Sequence, residues 1–282
     1  MNKTLLFLLL LMLCSLPALA ETPSVPFLEP GQEPVLTEFS YRSENIVIDI
    51  AGMRASDTDV YVADVYVRSV DCFLRAFAEG KYGTETRKIS VIAEGSGALL
   101  AMTGDSGQNF SAGWIVANGI VERNTCNRKR DLCLVQKDGS MGFYPAGTIT
   151  QQELEAAADV IWHSFLFGPV LLDENGRALE DFSDSNVRYK NPRSVLGYFE
   201  PGHYCFVQVD GRSTQSALEH GSLNHGMTLE ELAVFMEELG CSGAYNLDGG
   251  RSSAMWFNGR VISTQADANR RIGDILLIKE AE

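Results

Sequence analysis

The stretch from Cys205 to Phe257 constrains the fold more than any other part of the 282-residue chain. Cys205-Phe206-Val207-Gln208-Val209 has strand composition, as do Ala244-Tyr245-Asn246-Leu247 and Ala254-Met255-Trp256-Phe257. Between the first two runs lies Thr228 to Leu239, where Leu229, Leu232, Ala233, Met236 and Leu239 recur at helical spacing. Thr228 and Glu231 form a capping box at its start, and Gly240 ends it. Earlier strand-like runs cover Ile46 to Ile50 and Val60 to Val67, and Thr150 with Glu153 opens a second helix through Ala158. Neither an internal repeat nor a second Pro/Gly-rich boundary divides the chain. The pattern predicts one α+β domain, a twisted β-sheet with packed helices.

The ends of the chain read differently. Lys3, the apolar run Leu5 to Leu13 and the small residues at Ala18-Leu19-Ala20 predict a cleaved signal peptide over residues 1–20. That run is short for a bilayer span, so no stable span is expected after cleavage. Pro23, Pro26, Pro30 and Pro34 make residues 21–36 an expected extended tether. The folded domain is then 37–282. The chain is expected to be exported, to the outside or to the cell envelope.

Charge narrows the work further. Lys+Arg number 23 against 37 Asp+Glu, a formal net charge of -14. An acidic chain of this kind is a poor nonspecific nucleic-acid or anionic-membrane binder, since such binding rests on clustered Lys and Arg. Export also changes the meaning of Cys72, Cys126, Cys133, Cys205 and Cys241. An oxidising compartment permits disulfides, and Cys126 and Cys133 bracket a polar turn suited to a hairpin staple. With no Cys-x-x-Cys pair, zinc and thioredoxin-type sites lack support.

Some strings look chemical and fail on inspection. Gly104-Asp105-Ser106-Gly107 resembles the surroundings of a protease serine, but His163, His203, His220 and His225 all lie downstream of it. Trypsin-like order places the base histidine upstream, and no Gly-x-Ser-x-Gly elbow offers another hydrolase. His220 and His225 fit solvent-exposed loop positions, with no further metal ligands at a recognisable spacing. Walker and dinucleotide glycine fingerprints are absent.

Three other strings do carry chemistry: Asn191-Pro192-Arg193-Ser194, Val209-Asp210-Gly211-Arg212-Ser213 and Asn246-Leu247-Asp248-Gly249-Gly250-Arg251-Ser252-Ser253. Two of them put carboxylate, glycine and guanidinium together at the end of a strand. Glycine permits positive φ and close approach of a ligand, successive amides form anion nests, and arginine pairs with phosphate bidentately. The same Asp-Gly strings also serve as ordinary hairpin turns.

Taken in order with Phe167-Gly168-Pro169-Val170-Leu171 and Gly226-Met227-Thr228-Leu229-Glu230-Glu231-Leu232, these strings resemble the phosphodiester glycosidase family. The resemblance covers roughly residues 60 to 279, with Ala98 to Asp105 in the place of the family's early Asn-Gly segment. It implies an exported hydrolase that cleaves a sugar-1-phosphodiester of the N-acetylglucosamine type. Arg193 and Arg212, helped by Gly249 and Gly250, would hold phosphate. Asp248 is the first choice for base or nucleophile, with Asp210 and Asp105 as alternatives. Asn246, Ser252 and Ser253 would orient the sugar.

No cofactor is required by this chemistry, and a divalent metal among Asp105, Asp210 and Asp248 is the alternative arrangement. The expected partner is a carbohydrate phosphodiester in an envelope or extracellular glycopolymer; the sequence carries no signal for oligomeric state. Two departures from the family bear on activity: Thr103 replaces an asparagine, and Arg251 replaces a third glycine, where a positive φ would strain it. They keep open a noncatalytic sugar-phosphate-binding domain, beside a third reading, a metal-dependent phosphodiesterase cutting P–O.

Overall fold

The computed structural model describes residues 27–212, 223–264 and 269–281. The expected signal peptide, the first part of the tether, Ser213 and His220 lie outside them. The described residues are mostly β, with three α-helices: α1 (Ile89–Gly95), α2 (Gln151–Ala157) and α3 (Leu229–Glu238). Instead of one sheet there are several, all paired antiparallel, of which two are large.

The larger sheet runs in the order β1 (Val35–Leu36), β2 (Ser40–Arg42), β3 (Ile46–Ala55), β4 (Thr58–Val67), β14 (His203–Val209), β13 (Arg193–Glu200) and β15 (Gly243–Asn246). Its first strand falls at the end of the proline-rich stretch, pairing Val35 with Arg42 and Leu36 with Tyr41. The second sheet has the order β17 (Arg260–Val261), β16 (Met255–Phe257), β7 (Leu100–Thr103), β19 (Asp274–Ile278) and β5 (Phe73–Phe77). Smaller ladders join β11 (Met141–Tyr144), β10 (Leu132–Gln136) and β12 (Ile161–Phe165), then β8 (Gly113–Ala117) with β9 (Ile120–Thr125), and β6 (Arg87–Lys88) with β18 (Arg271–Ile272).

Alternation along the strands builds the layers, because successive side chains leave a strand on opposite faces. In β14, Tyr204 and Phe206 enter a core shared with Leu100, Met102, Met255 and Leu276 of the second sheet. Cys205, Val207 and Val209 point the other way, against Leu229, Leu232, Ala233 and Met236 of α3. The second sheet repeats the scheme, with Ala101, Ile275 and Leu277 facing Ile89, Ile92 and Ala93 of α1. The two sheets therefore sandwich the main core, and α3 and α1 cover their outer faces. Strands buried on both faces explain why these segments are almost continuously apolar.

Both capping boxes form. Thr150 and Thr228 each accept from the backbone of the residue three positions on, and Glu153 and Glu231 reach back to the cap. The Cys126–Cys133 staple that the polar turn would permit does not: both are free, with Cys133 buried in the core and Cys126 Sγ against the Ile149 carbonyl. Cys133 belongs to β10, where its side chain turns inward, whereas Cys126 lies outside the ladder.

The topology brings three distant strings to one place. β14 and β15 flank β13 on opposite sides and both run antiparallel to it. Arg193 opposes Val209 and Val195 opposes Asn246. The start of β13 and the ends of β14 and β15 consequently meet at one edge, although the three strings are far apart in sequence. Among the described residues no helix is long and apolar enough to cross a membrane.

Candidate active site

The 246–253 turn crosses from the first sheet to the second. Asp248 N–H donates to Gly104 O at 3.1 Å and Leu247 N–H to Ser194 O at 2.8 Å, so the turn is tied to both. Gly249 and Gly250 are there for close approach. A Cβ on Gly249 would sit 2.7 Å from Pro192 O, and Gly250 has φ +59°. The Gly250 N–H is spent on Pro192 O at 2.8 Å, so this amide is not offered to an anion. Arg251 lies in the short 3-10 turn Gly250–Ser252, and the positive φ falls on Gly250, so the suspected strain at Arg251 is absent.

Asp248 is the carboxylate at this junction with partial exposure. Its Oδ2 accepts from Ser106 Oγ at 2.7 Å. Burial raises its pKa, opposed by hydrogen bonds from the Ser106 and Ser252 side chains. Ser106 adopts the left-handed conformation, φ 50°, and its N–H donates to Asp274 Oδ1 at 2.9 Å. Sequence reasoning passed over Ser106 because no histidine stood in the right place; the structure gives it a carboxylate partner. The signal was present in the two flanking glycines: a Cβ on Gly104 would lie 2.4 Å from Asp274 Oδ2, and one on Gly107 2.4 Å from Asp105 Oδ2.

Asp105 and Asp210 occupy different ground. Asp105 is 0% exposed, with Oδ1 accepting the Leu166 and Phe167 N–H groups at 2.7 Å each. Burial pushes it up to about 6, against the pull of the Arg75 guanidinium. Arg75, itself buried, bonds Asp274 through Nε at 2.8 Å and stands 3.8 Å from Asp105 Oδ2. Arg75 and Asp274 form the counter-charge system under the 104–107 loop, and neither was signalled by the sequence. Asp210, also 0% exposed, accepts from Thr264 N–H at 2.8 Å and from the Thr264 hydroxyl. Burial raises its pKa as well.

The arginines also part. Arg193 is 2% exposed, its Nε donating to Met227 O at 3.0 Å and its Nη2 to Tyr189 O at 2.6 Å. Burial lowers its pKa to about 10, opposed by Glu230 and Glu231 at the start of α3. That geometry is a brace between β13 and the loop before α3. Arg212 is exposed, adopts φ 54°, donates to Asn191 Oδ1, and lies against Gly250.

Asn246 is buried, donating Nδ2 to Gly168 O at 2.8 Å, and its Oδ1 has no partner. Ser253 is buried between Ser194 Oγ at 2.9 Å and Gln208 Oε1 at 2.7 Å. Ser252 is partly exposed beside Asp248. Thr103, standing for the family's asparagine, donates to Ser252 O at 2.6 Å and accepts from Ala254 N–H at 3.1 Å. The hydroxyl thus ties the second sheet to the turn that carries Asp248.

Among the described residues no three His, Cys, Asp or Glu side chains converge as a metal site requires. Of the histidines, His163 is buried and lowered to about 3 by desolvation, His203 pairs with Asp64, and His225 is exposed. Beside the junction lies an open cleft of about 740 Å³, lined in part by Phe110, Lys129, Arg130 and Asp181. It shares Phe167 and Gly168 with the site, and Arg130 stacks 3.7 Å over the Phe110 ring.

Comparison with known proteins bears on this arrangement. Solved structures share the fold at low identity. The zebrafish N-acetylglucosamine-1-phosphodiester alpha-N-acetylglucosaminidase catalytic domain, auto-inhibited by its pro-peptide, superposes with TM-score 0.65 at 19% identity over 83% of each chain. A hypothetical protein from Synechocystis gives 0.62 at 14% identity, over 84% of this chain and 63% of its own. In sequence, 156 residues are 30% identical to the SPbeta prophage-derived uncharacterized protein YomE of Bacillus subtilis (strain 168), over 52% of this chain. The match spans only 22% of that protein's length. Residues 90–279 match the phosphodiester glycosidase family. They contain the 104–107 loop, the strings at the β13, β14 and β15 edge, and Asp274, so the chain belongs to the phosphodiester glycosidase family.

Proposed function

We propose that this chain hydrolyses a sugar-1-phosphodiester of the N-acetylglucosamine type, releasing the sugar and leaving a phosphomonoester. One observation carries the reading: of Asp105, Asp210 and Asp248, only Asp248 is partly open, and it is held by Ser106 Oγ at 2.7 Å. A base or nucleophile needs access to its substrate, a fixed orientation and an ionised form. The two hydroxyls beside Asp248 support orientation and ionisation together.

In the reaction the C1–O bond breaks and its electron pair leaves with the phosphate, while a water oxygen ends on C1. A phosphomonoester is a good leaving group, so the demand for a strong general acid is lower than in ordinary glycosidases. What remains is charge stabilisation, which preorganised donors supply. We assign that role to Arg212, since Arg193 is occupied by backbone carbonyls and the Gly250 amide by Pro192. Asp105 and Asp210 then act as buried supports of the loops around Asp248.

The neighbouring cleft would take the chain beyond the phosphate, which fits a glycopolymer substrate outside the cytoplasm. The assay is release of free sugar from UDP-N-acetylglucosamine by the parent and by Asp248→Asn, with and without chelator. Release by the parent, falling by at least about 10³-fold in the variant, is the expected result. In isotopically labelled water the label should enter the sugar; label in the phosphate would mean P–O cleavage and overturn the glycosidase reading. Saturable binding without turnover by any sugar phosphodiester tried would leave a glycan-binding domain instead.

A further inference from the structure

We propose that Cys205 and Cys241 are a disulfide-forming pair, a covalent modification site that staples β14 to the turn after α3 by crossing over β13. Their Sγ atoms stand 3.6 Å apart, in van der Waals contact, and both residues are buried. A disulfide needs about 2.05 Å between sulfurs, a closure of roughly 1.5 Å by two side chains already facing each other.

The strand between them is built to let the sulfurs meet. Cys205 lies opposite Gly197 of β13, and Gly197 pairs on its other side with Ala244 of β15. A Cβ at position 197 would sit 2.5 Å from Cys205 Sγ, 2.9 Å from Cys241 Sγ and 2.7 Å from Met236 Cε. Any larger residue in the middle of β13 would push the sulfurs apart. Glycine weakens a strand interior, so its presence here calls for a close neighbour, and the sulfur pair is that neighbour. Cys241 is delivered by the helix end, where Gly240 takes φ +82° and Cys241 N–H donates to Met236 O at 3.2 Å.

The pocket is otherwise apolar, with Val195, Val207 and Ala244 in the same cluster. Contact with the Cys241 thiol, and after it burial, pushes the Cys205 thiol up, so exchange takes place while the chain is still open and the finished bond is protected. The oxidant is an external disulfide. One protein thiolate attacks it, giving a mixed disulfide and one small thiol; the second attacks the first protein sulfur and releases the other. Two protein thiols are oxidised and one small disulfide is reduced to two thiols. The bond would link β14, which leads to Asp210, with the turn that leads into β15 and Asp248, and the inference stands independently of the reaction at Asp248.

The test folds the full chain in a buffer of oxidised and reduced glutathione, alkylates it in denaturant without reduction, and maps the peptides by mass. The expected result is a linked Cys205–Cys241 peptide pair, lighter than the two thiol peptides by two hydrogens, with Cys72, Cys126 and Cys133 alkylated. Alkylation of both Cys205 and Cys241, or linkage of either to another cysteine, overturns the pairing. Melting provides the second readout. Oxidised parent should melt several degrees above reduced parent, and Cys205→Ala/Cys241→Ala should show no effect of oxidant. Equal midpoints for the two forms of the parent would overturn the staple.

Discussion

Asp105 offers a prediction whose size follows from its surroundings. Its carboxyl is fully buried, and desolvation raises its pKa from 3.8 to about 6 in spite of Arg75. An acid with a raised folded-state pKa binds its proton more tightly in the folded than in the unfolded chain. Its contribution to stability is therefore complete below the unfolded value of 3.8 and is lost as pH rises through 6. Integrating the two titrations gives a gain that begins near pH 6 and reaches about 2 kcal/mol at pH 4, measured from the ionised state. Asp105→Asn keeps an oxygen for the Leu166 and Phe167 N–H groups and cannot titrate. Other carboxylates titrate in both proteins, so the difference between the two isolates Asp105. Urea unfolding from pH 7.5 to 4 should show the parent gaining about 2 kcal/mol relative to the variant. Parallel stability curves, or a gain by the variant, would refute the account of a buried acid held beside an incomplete counter-charge.

Further predictions concern Asp248 and its supports. Ser106→Ala removes a hydroxyl that favours the ionised carboxylate, so the acid limb of the pH–rate profile should move to higher pH. An unmoved limb would remove Ser106 from the positioning of Asp248. Arg193→Met should destabilise by about 2–3 kcal/mol, because two charge-assisted bonds to Met227 O and Tyr189 O are lost; a raised KM at unchanged stability would instead restore Arg193 to phosphate binding. Thr228→Ala deletes the hydroxyl half of the α3 cap and should cost about 1 kcal/mol in thermal or urea melts.

Local physics made part of this molecule legible before any tertiary contact. Apolar strand-like runs placed β4, β14 and β15 close to their observed limits and the first half of β3, the Thr-x-x-Glu caps opened α2 and α3, and helical spacing carried α3 to its end. These features depend on residues within one or two turns of each other. The ordered strings also marked the family, and two of them, at Asp210-Gly211 and Asp248-Gly249-Gly250, sit just past strand ends.

Which residues stand open at the site was decided elsewhere. Val209, Arg193 and Asn246 reach one edge only because β13 is inserted between β14 and β15. Asp248 is left partly open there and Asp210 is closed, while Asp105 is closed from the second sheet by the Leu166 and Phe167 amides and Arg75. Arg193 and Arg212 stand in similar strings, yet one is locked on carbonyls and the other is exposed. Ser106, Arg75 and Asp274 enter through β5, β7 and β19 of the second sheet, far along the chain from Asp248. Burial and counter-charge are set by neighbours brought together across such distances, so the sequence alone specified the strands, and the packing of two sheets decided which carboxylate stays open.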